Sequence, residues 1–278
     1  MPEVELSSGT IDYEDTGDDG PVVVFVHGLI MDGSLWRRVI ARLRADYRCI
    51  APTLPLGGHR HPMHADADLS MRGVAGLLGE LLEALDLSEV TLAMNDWGGA
   101  QLLIGSAYDA RIARLALCSC EAFDNVPPKG AARLLPYIAR VPGGIDATLL
   151  PFRFDRLRRL PMTYGPLSKR PVPREVMDRW FAPATEQRDV RRDLRKYVVD
   201  AAQGRRDLLA ATDALRAFDR PALVAWATED RLMPREHGRR LAKLLPQGRL
   251  VEIPDSYTLI PEDQPAALAG HLRELLAR

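Results

Sequence analysis

The sequence predicts an α/β protein: a mostly parallel sheet flanked by helices, broken once by an inserted helical segment. Three observations predict it. Val22, Val23, Val24, Phe25 and Val26 form an unbroken run of β-formers, the pattern of a strand buried on both faces. Strand-like runs then alternate with amphipathic helical patterns, which implies parallel pairing through right-handed crossovers. The alternation stops between about residues 125 and 215, where the chain is arginine-rich and punctuated by prolines such as Pro127, Pro136, Pro161 and Pro171.

Each element follows from local pattern. Residues 35–45 read as a helix and 48–51 as a short strand. Residues 71–85 form a long helical pattern, with Ser70 placed to cap it. Further strands are predicted at 90–94, 112–118, 222–227 and 250–253, and helices at 101–107 and 264–277. A core domain of residues 1–124 and 216–278 is therefore expected, with residues 125–215 as a helical cap.

Composition narrows the function classes. The chain has 278 residues, 46% of them hydrophobic, enough for one large domain with an insertion. No apolar run approaches the roughly 20 residues of a membrane span. The start, Met1-Pro2-Glu3-Val4-Glu5, lacks the basic and apolar regions of a signal peptide, so a cytoplasmic location without a membrane partner is expected. A formal net charge of −1 argues against a nucleic-acid partner. The charge is uneven, however: residues 151–220 carry fifteen Arg and two Lys against ten Asp and Glu. That excess reads as a solvated basic face or as attraction for an anionic substrate. Three cysteines form no disulfide framework, and Cys118 and Cys120 on a predicted strand read as buried thiols. No cofactor or metal is predicted.

The chemistry concentrates at one turn. Residues 90–100, VTLAMNDWGGA, run from a strand pattern through Asp96 into Trp97, Gly98 and Gly99 and then a helix-forming stretch. Glycines at this point let the chain turn sharply. A plain helix cap by Asp96 is the competing reading. Upstream, Val26-His27-Gly28-Leu29 follows the first buried strand.

Together these motifs resemble the α/β-hydrolase superfamily. Asp96 matches the nucleophile elbow of that fold, a strained strand-to-helix turn. Asn95-Asp96-Trp97-Gly98-Gly99 resembles its aspartate-nucleophile branch, the haloalkane dehalogenases and epoxide hydrolases. The resemblance implies attack by Asp96 on a saturated carbon, giving an alkyl-enzyme ester. It implies oxyanion donors from the backbone of Leu29 and Trp97, a halide contact from Trp97, and a structural role for His27.

The supporting acid is expected at Asp230, in the segment after the 222–227 strand, or at Glu121, after the strand that follows the elbow. The family histidine should come next, yet the matching frame reads Pro254-Asp255-Ser256-Tyr257-Thr258-Leu259-Ile260-Pro261-Glu262. Thr258 stands at the histidine position, and a threonine hydroxyl has far too high a pKa to act as a base near neutrality. His59, His61 and His64 gather in one loop, and His59 or His61 is a candidate substitute base; a polar surface loop is the alternative. Trp180 is a candidate second halide donor, and the cap tyrosines Tyr137, Tyr164 and Tyr197 are available to protonate an opening epoxide.

The expected function is that of an α/β-hydrolase-fold enzyme using Asp96 on a small organic substrate, without the usual histidine. A non-hydrolytic enzyme or a catalytically silent ligand-binding scaffold is the alternative. Turnover of a simple substrate panel separates them.

Overall fold

The computed structural model describes residues 1–17 and 19–278. Eight strands form one sheet: β1 (Glu3–Leu6), β2 (Gly9–Asp15), β3 (Val22–Val26), β4 (Arg48–Pro52), β5 (Val90–Asp96), β6 (Ile112–Cys120), β7 (Ala222–Ala227) and β8 (Gly248–Ile253). Their spatial order is β1-β2-β4-β3-β5-β6-β7-β8. The strands from β4 through β8 pair in parallel, while β2 joins β1 and β4 antiparallel. Strand order reverses at β3, whose neighbours β4 and β5 leave in opposite directions. In an open α/β sheet, such a switch point at the carboxyl ends of the strands is where ligands bind. The loop after β3 and the end of β5 meet there.

Sequence and structure agree best where burial is complete. β3 and β7 are the predicted runs, and β7 is buried along its whole length. Helix Met71–Ala84 begins where expected, with the Ser70 hydroxyl accepting from the Gly73 N–H (3.0 Å). The predicted 101–107 helix is different: the chain makes only a short 3₁₀ turn, Gly99–Leu103. The chain leaves helical geometry by Gly105, whose φ of +78 is open to glycine and where a Cβ would stand 2.9 Å from Ala214 Cβ. The β1–β2 hairpin and helix Arg235–Leu244 were not anticipated.

No strand occurs among the described residues between β6 and β7. Short helices there lead to helices Arg174–Glu186, Arg188–Val199 and Ala201–Ala217. The last of these packs back on helix Met71–Ala84 and the Gly99–Leu103 turn. Helix Arg188–Val199 is fastened to the three-histidine loop. Asp193, fully buried, accepts from the Met63 N–H (2.8 Å) and faces His59 Nε2 (3.4 Å). Arg192 donates to Met63 O (2.6 Å), and Lys196 donates to Ala65 O (2.7 Å). Trp180 Nε1 donates to Ser34 Oγ (2.9 Å), fixing helix Arg174–Glu186 to the loop beyond β3.

Asp193→Ala would strand a buried histidine and an amide donor together. It is expected to lower the unfolding free energy by on the order of 3 kcal/mol, read from urea denaturation. A loss under about 0.5 kcal/mol, the usual size of a surface substitution, would show that the helix is held without this contact.

Candidate active site

β5 and β6 deliver two carboxyl groups to one corner. Asp96 ends β5 with a φ of 66, as a strained elbow requires. The register slips by one residue there, so Asp96 pairs with Cys120, and the Glu121 N–H donates to Asp96 O (2.9 Å). Gly98 is obligatory, since a Cβ on it would stand 2.1 Å from Glu121 O. Gln101 Nε2 clamps the turn by donating to Gly98 O (3.0 Å) and Glu121 O (2.7 Å).

The loop after β3 covers the other side of Asp96. The Leu29 N–H donates to Asp96 Oδ2 (3.2 Å), and a Cβ on Gly28 would stand 1.9 Å from that oxygen. Leu29 therefore takes the donor position expected of it. The Trp97 backbone N–H does not: it donates to Asn95 O (2.9 Å), closing a tight turn around Asp96. Trp97 Nε1 donates to the Tyr197 hydroxyl (2.8 Å) instead of standing free for a halide.

Two cap tyrosines complete the enclosure. The Tyr164 hydroxyl lies 2.7 Å from both Leu29 O and Ile30 O, so its single proton is shared between them. Tyr164 and Tyr197 are both buried, and both feel the Asp96 charge. Tyr137 is 71% exposed and takes no part.

Burial dominates the electrostatics. It pushes the Asp96 carboxyl up to about 7, the Leu29 hydrogen bond working against it and the Asp230 charge with it. Glu121 rises to about 8 through burial and then the Asp96 charge, opposed by the Gly98 N–H. Near neutral pH the two carboxyl groups thus hold at least one proton between them. Burial also drives the Cys118 thiol up to about 12, which leaves it unreactive.

Thr258, expected at the histidine position, lies beside Asp230. Its buried hydroxyl donates to Asp230 Oδ1 (2.8 Å), which also accepts from the N–H groups of Leu232 (2.9 Å) and Met233 (2.8 Å). Asn95 Nδ2 donates to Thr258 O (2.8 Å) and Cys118 O (2.7 Å), tying the threonine loop to the elbow. The sequence had marked Asn95 only as part of the Asp-nucleophile motif.

The histidines lie elsewhere. His27 Nδ1 donates to Gly28 O (2.8 Å) and its Nε2 accepts from the Leu54 N–H (2.9 Å), so it shapes the loop. His59 is engaged by Asp193 of the cap, and His61 meets Glu3 at the surface (3.2 Å). No histidine among the described residues hydrogen-bonds Asp96, Glu121 or Asp230. An open cleft of about 720 Å³, lined by Pro221, Gly248 and Arg278 among others, lies at the opposite, amino-terminal edge of β7 and β8. It holds none of these groups.

A carboxylate on a strained strand end, faced by a backbone donor and roofed by a helical insertion, defines a hydrolase-type site. The profile of the alpha/beta hydrolase family matches residues 23–271, and the chain belongs to that family. It is an enzyme of the hydrolase superfamily. The cis-3-alkyl-4-alkyloxetan-2-one decarboxylase of Xanthomonas campestris pv. campestris is 28% identical, over 96% of this chain and 92% of that one. Haloalkane dehalogenase 2 of Mycobacterium bovis is 26% identical over 97% of this chain and 92% of its own. Among solved structures, a putative ancestral haloalkane dehalogenase superposes with a TM-score of 0.80 at 24% identity, covering all of both chains.

The carboxyl pair makes stability fall with pH. Glu121 binds its proton more tightly folded, at about 8, than at its ordinary 4.5, so ionisation across that window disfavours the native state. Glu121→Gln is therefore expected to raise the melting temperature at pH 8 and to differ little from the parent near pH 4.5. An advantage that is constant across that range would show that Glu121 is not buried uncharged.

Proposed function

We propose that Asp96 is a nucleophile toward the saturated carbon of a small apolar electrophile, and that the ester it forms is poorly resolved by water. The observation that carries this reading is the Thr258 hydroxyl on Asp230 (2.8 Å): the sequence frame expects a base at Thr258, and a threonine cannot act as one. Asp96 Oδ2 rests on the Leu29 N–H, which leaves Oδ1 to attack. As the new C–O bond forms, the carbon's bond to its leaving group breaks and the leaving group takes the electron pair. Oδ2 then becomes the ester carbonyl, still on its donor. A halide departs as an anion. An epoxide oxygen needs a proton, and protonated Glu121 is the nearby source, with the Tyr197 hydroxyl beside it.

Hydrolysis of that ester requires a base to take a proton from water, a contribution of about 10²–10⁴-fold. Glu121 is ionised only in the alkaline range, so release near neutrality is slow. One substrate class escapes this limit, and the decarboxylase relative favours it. In an oxetan-2-one, attack at the ring carbon bearing oxygen opens the ring and frees a carboxylate. That carboxylate leaves as carbon dioxide, its C–C electron pair becomes the alkene, and Asp96 departs with the C–O pair. Neither water nor base is consumed.

Two measurements test this. Incubation with a reactive alkyl bromide is expected to leave a persistent alkyl mass on the intact protein, absent in Asp96→Asn. Its rate of formation should rise as pH passes about 7, where Asp96 ionises. A dialkyl oxetan-2-one is expected to turn over to alkene and carbon dioxide without a lasting adduct. Neither adduct nor turnover with any of these probes would refute the nucleophile, and a substrate-binding scaffold would then be the better reading.

A further inference from the structure

Exposed apolar side chains are concentrated in one part of the cap. Leu134, Tyr137, Val141, Leu150, Phe154 and Met162 all project into solvent, Met162 being 80% and Tyr137 71% exposed. Apart from Met1 and Leu209, every large hydrophobic residue recorded as exposed falls within residues 134–162. The short helices of this stretch, Gly130–Leu134, Leu135–Ile138, Gly144–Leu149, Leu150–Arg153 and Asp155–Leu157, pack successively on one another. Isolated exposed hydrophobics need no explanation; a run of them along one segment marks an interaction surface.

The charges among them are equally distinctive. Arg133, Arg140, Arg153, Arg156 and Arg159 are exposed, and none forms an ion pair among the described residues. Elsewhere arginines pair routinely, as Arg235 and Arg239 do with Glu252. The two acids of the segment are already engaged, Asp146 with Arg191 and Asp155 with Arg158. Arg140, Arg153 and Arg159 donate to the carbonyls of Val199, Thr185 and Arg170, contacts that leave their charge unneutralised. The surface therefore offers apolar side chains interleaved with arginines that lack an acidic partner. That is the composition that settles into the headgroup boundary of an anionic bilayer, with apolar groups in the acyl region and arginines at the phosphates. A protein partner for five arginines without an acidic partner would have to supply matching carboxylates; a self-association of this face would bring like charges together.

We propose that residues 130–162 form a peripheral docking surface for an anionic lipid bilayer. The same segment leads directly into Tyr164, which roofs Asp96 through Leu29 and Ile30. An apolar substrate dissolved in the bilayer would thus meet the cap beside the site. The inference does not depend on the reaction assigned to Asp96. No helix among the described residues is long and apolar enough to cross a membrane, so the contact is interfacial.

Flotation of the full chain with two kinds of vesicle tests the proposal: phosphatidylcholine alone, and phosphatidylcholine with about 30% phosphatidylglycerol. Binding is expected to the mixed vesicles, to weaken with salt, and to be much weaker with the neutral ones. Arg133→Gln with Arg156→Gln and Arg159→Gln should weaken it by roughly fivefold per arginine. Phe154→Ser with Met162→Ser should weaken it without changing the far-UV circular dichroism spectrum or the melting temperature, which confirms an intact fold. Absence of binding to mixed vesicles would overturn the proposal, as would binding unaffected by either set of substitutions. A dimer in sedimentation that Phe154→Ser and Met162→Ser dissociate, with no lipid binding, would assign the surface to self-association instead.

Discussion

The Asp96 and Glu121 carboxyl groups occupy one buried corner, where the Glu121 N–H bonds the Asp96 carbonyl (2.9 Å) at the adjoining ends of β5 and β6. No cation figures among the groups that set either pKa. Burial without a counter-charge keeps a proton in the corner, and that proton decides what the site can do. In the proposed reaction ionised Asp96 is the nucleophile and protonated Glu121 the acid. The elbow strain at Asp96, the glycines at 28 and 98 and the two roofing tyrosines all maintain this enclosure. Opening it to water would lower both pKa values and remove the acid.

Thr258 extends the same logic. A histidine there would bring a proton acceptor, and on protonation a cation, into contact with Asp230. The threonine hydroxyl satisfies Asp230 Oδ1 and contributes no charge. The loop is held by other contacts: Asn95 holds the Thr258 carbonyl, and Asp230 gathers two backbone N–H groups besides. On the proposed reading, Asp230 is placed to orient a base and Thr258 does not supply one. Such a site suits electrophiles whose enzyme ester collapses by itself.

Much of this was legible in the sequence, for local reasons. Strands buried on both faces declare themselves as apolar runs, so β3 and β7 were readable from composition alone. Asp96, Gly98, Asp230 and Thr258 sit at fixed offsets from strand ends, and fixed offsets survive in sequence. What the sequence hid was long-range. The β1–β2 hairpin is rich in Glu and Asp, and its buried Asp12 makes sense only beside Arg60. His59 looked available for catalysis until Asp193, far along the chain in the cap, claimed it. Tyr164 and Tyr197 could be named as cap residues, but nothing local placed them over Asp96. The ionisation of Asp96 was not legible either: an ordinary aspartate is fully charged at neutral pH, whereas burial moves this one to about 7.

The central claim, that Asp96 can form an alkyl ester which Thr258 cannot help water to cleave, is tested most directly by bromide release from excess alkyl bromide. The parent protein should release one equivalent per Asp96 and then slow sharply. Thr258→His, with Asp230 already placed to orient an imidazole, should continue past that equivalent at a rate about 10²–10⁴-fold faster than the parent's slow phase. Sustained release of many equivalents by the parent protein, with no burst, would contradict the account.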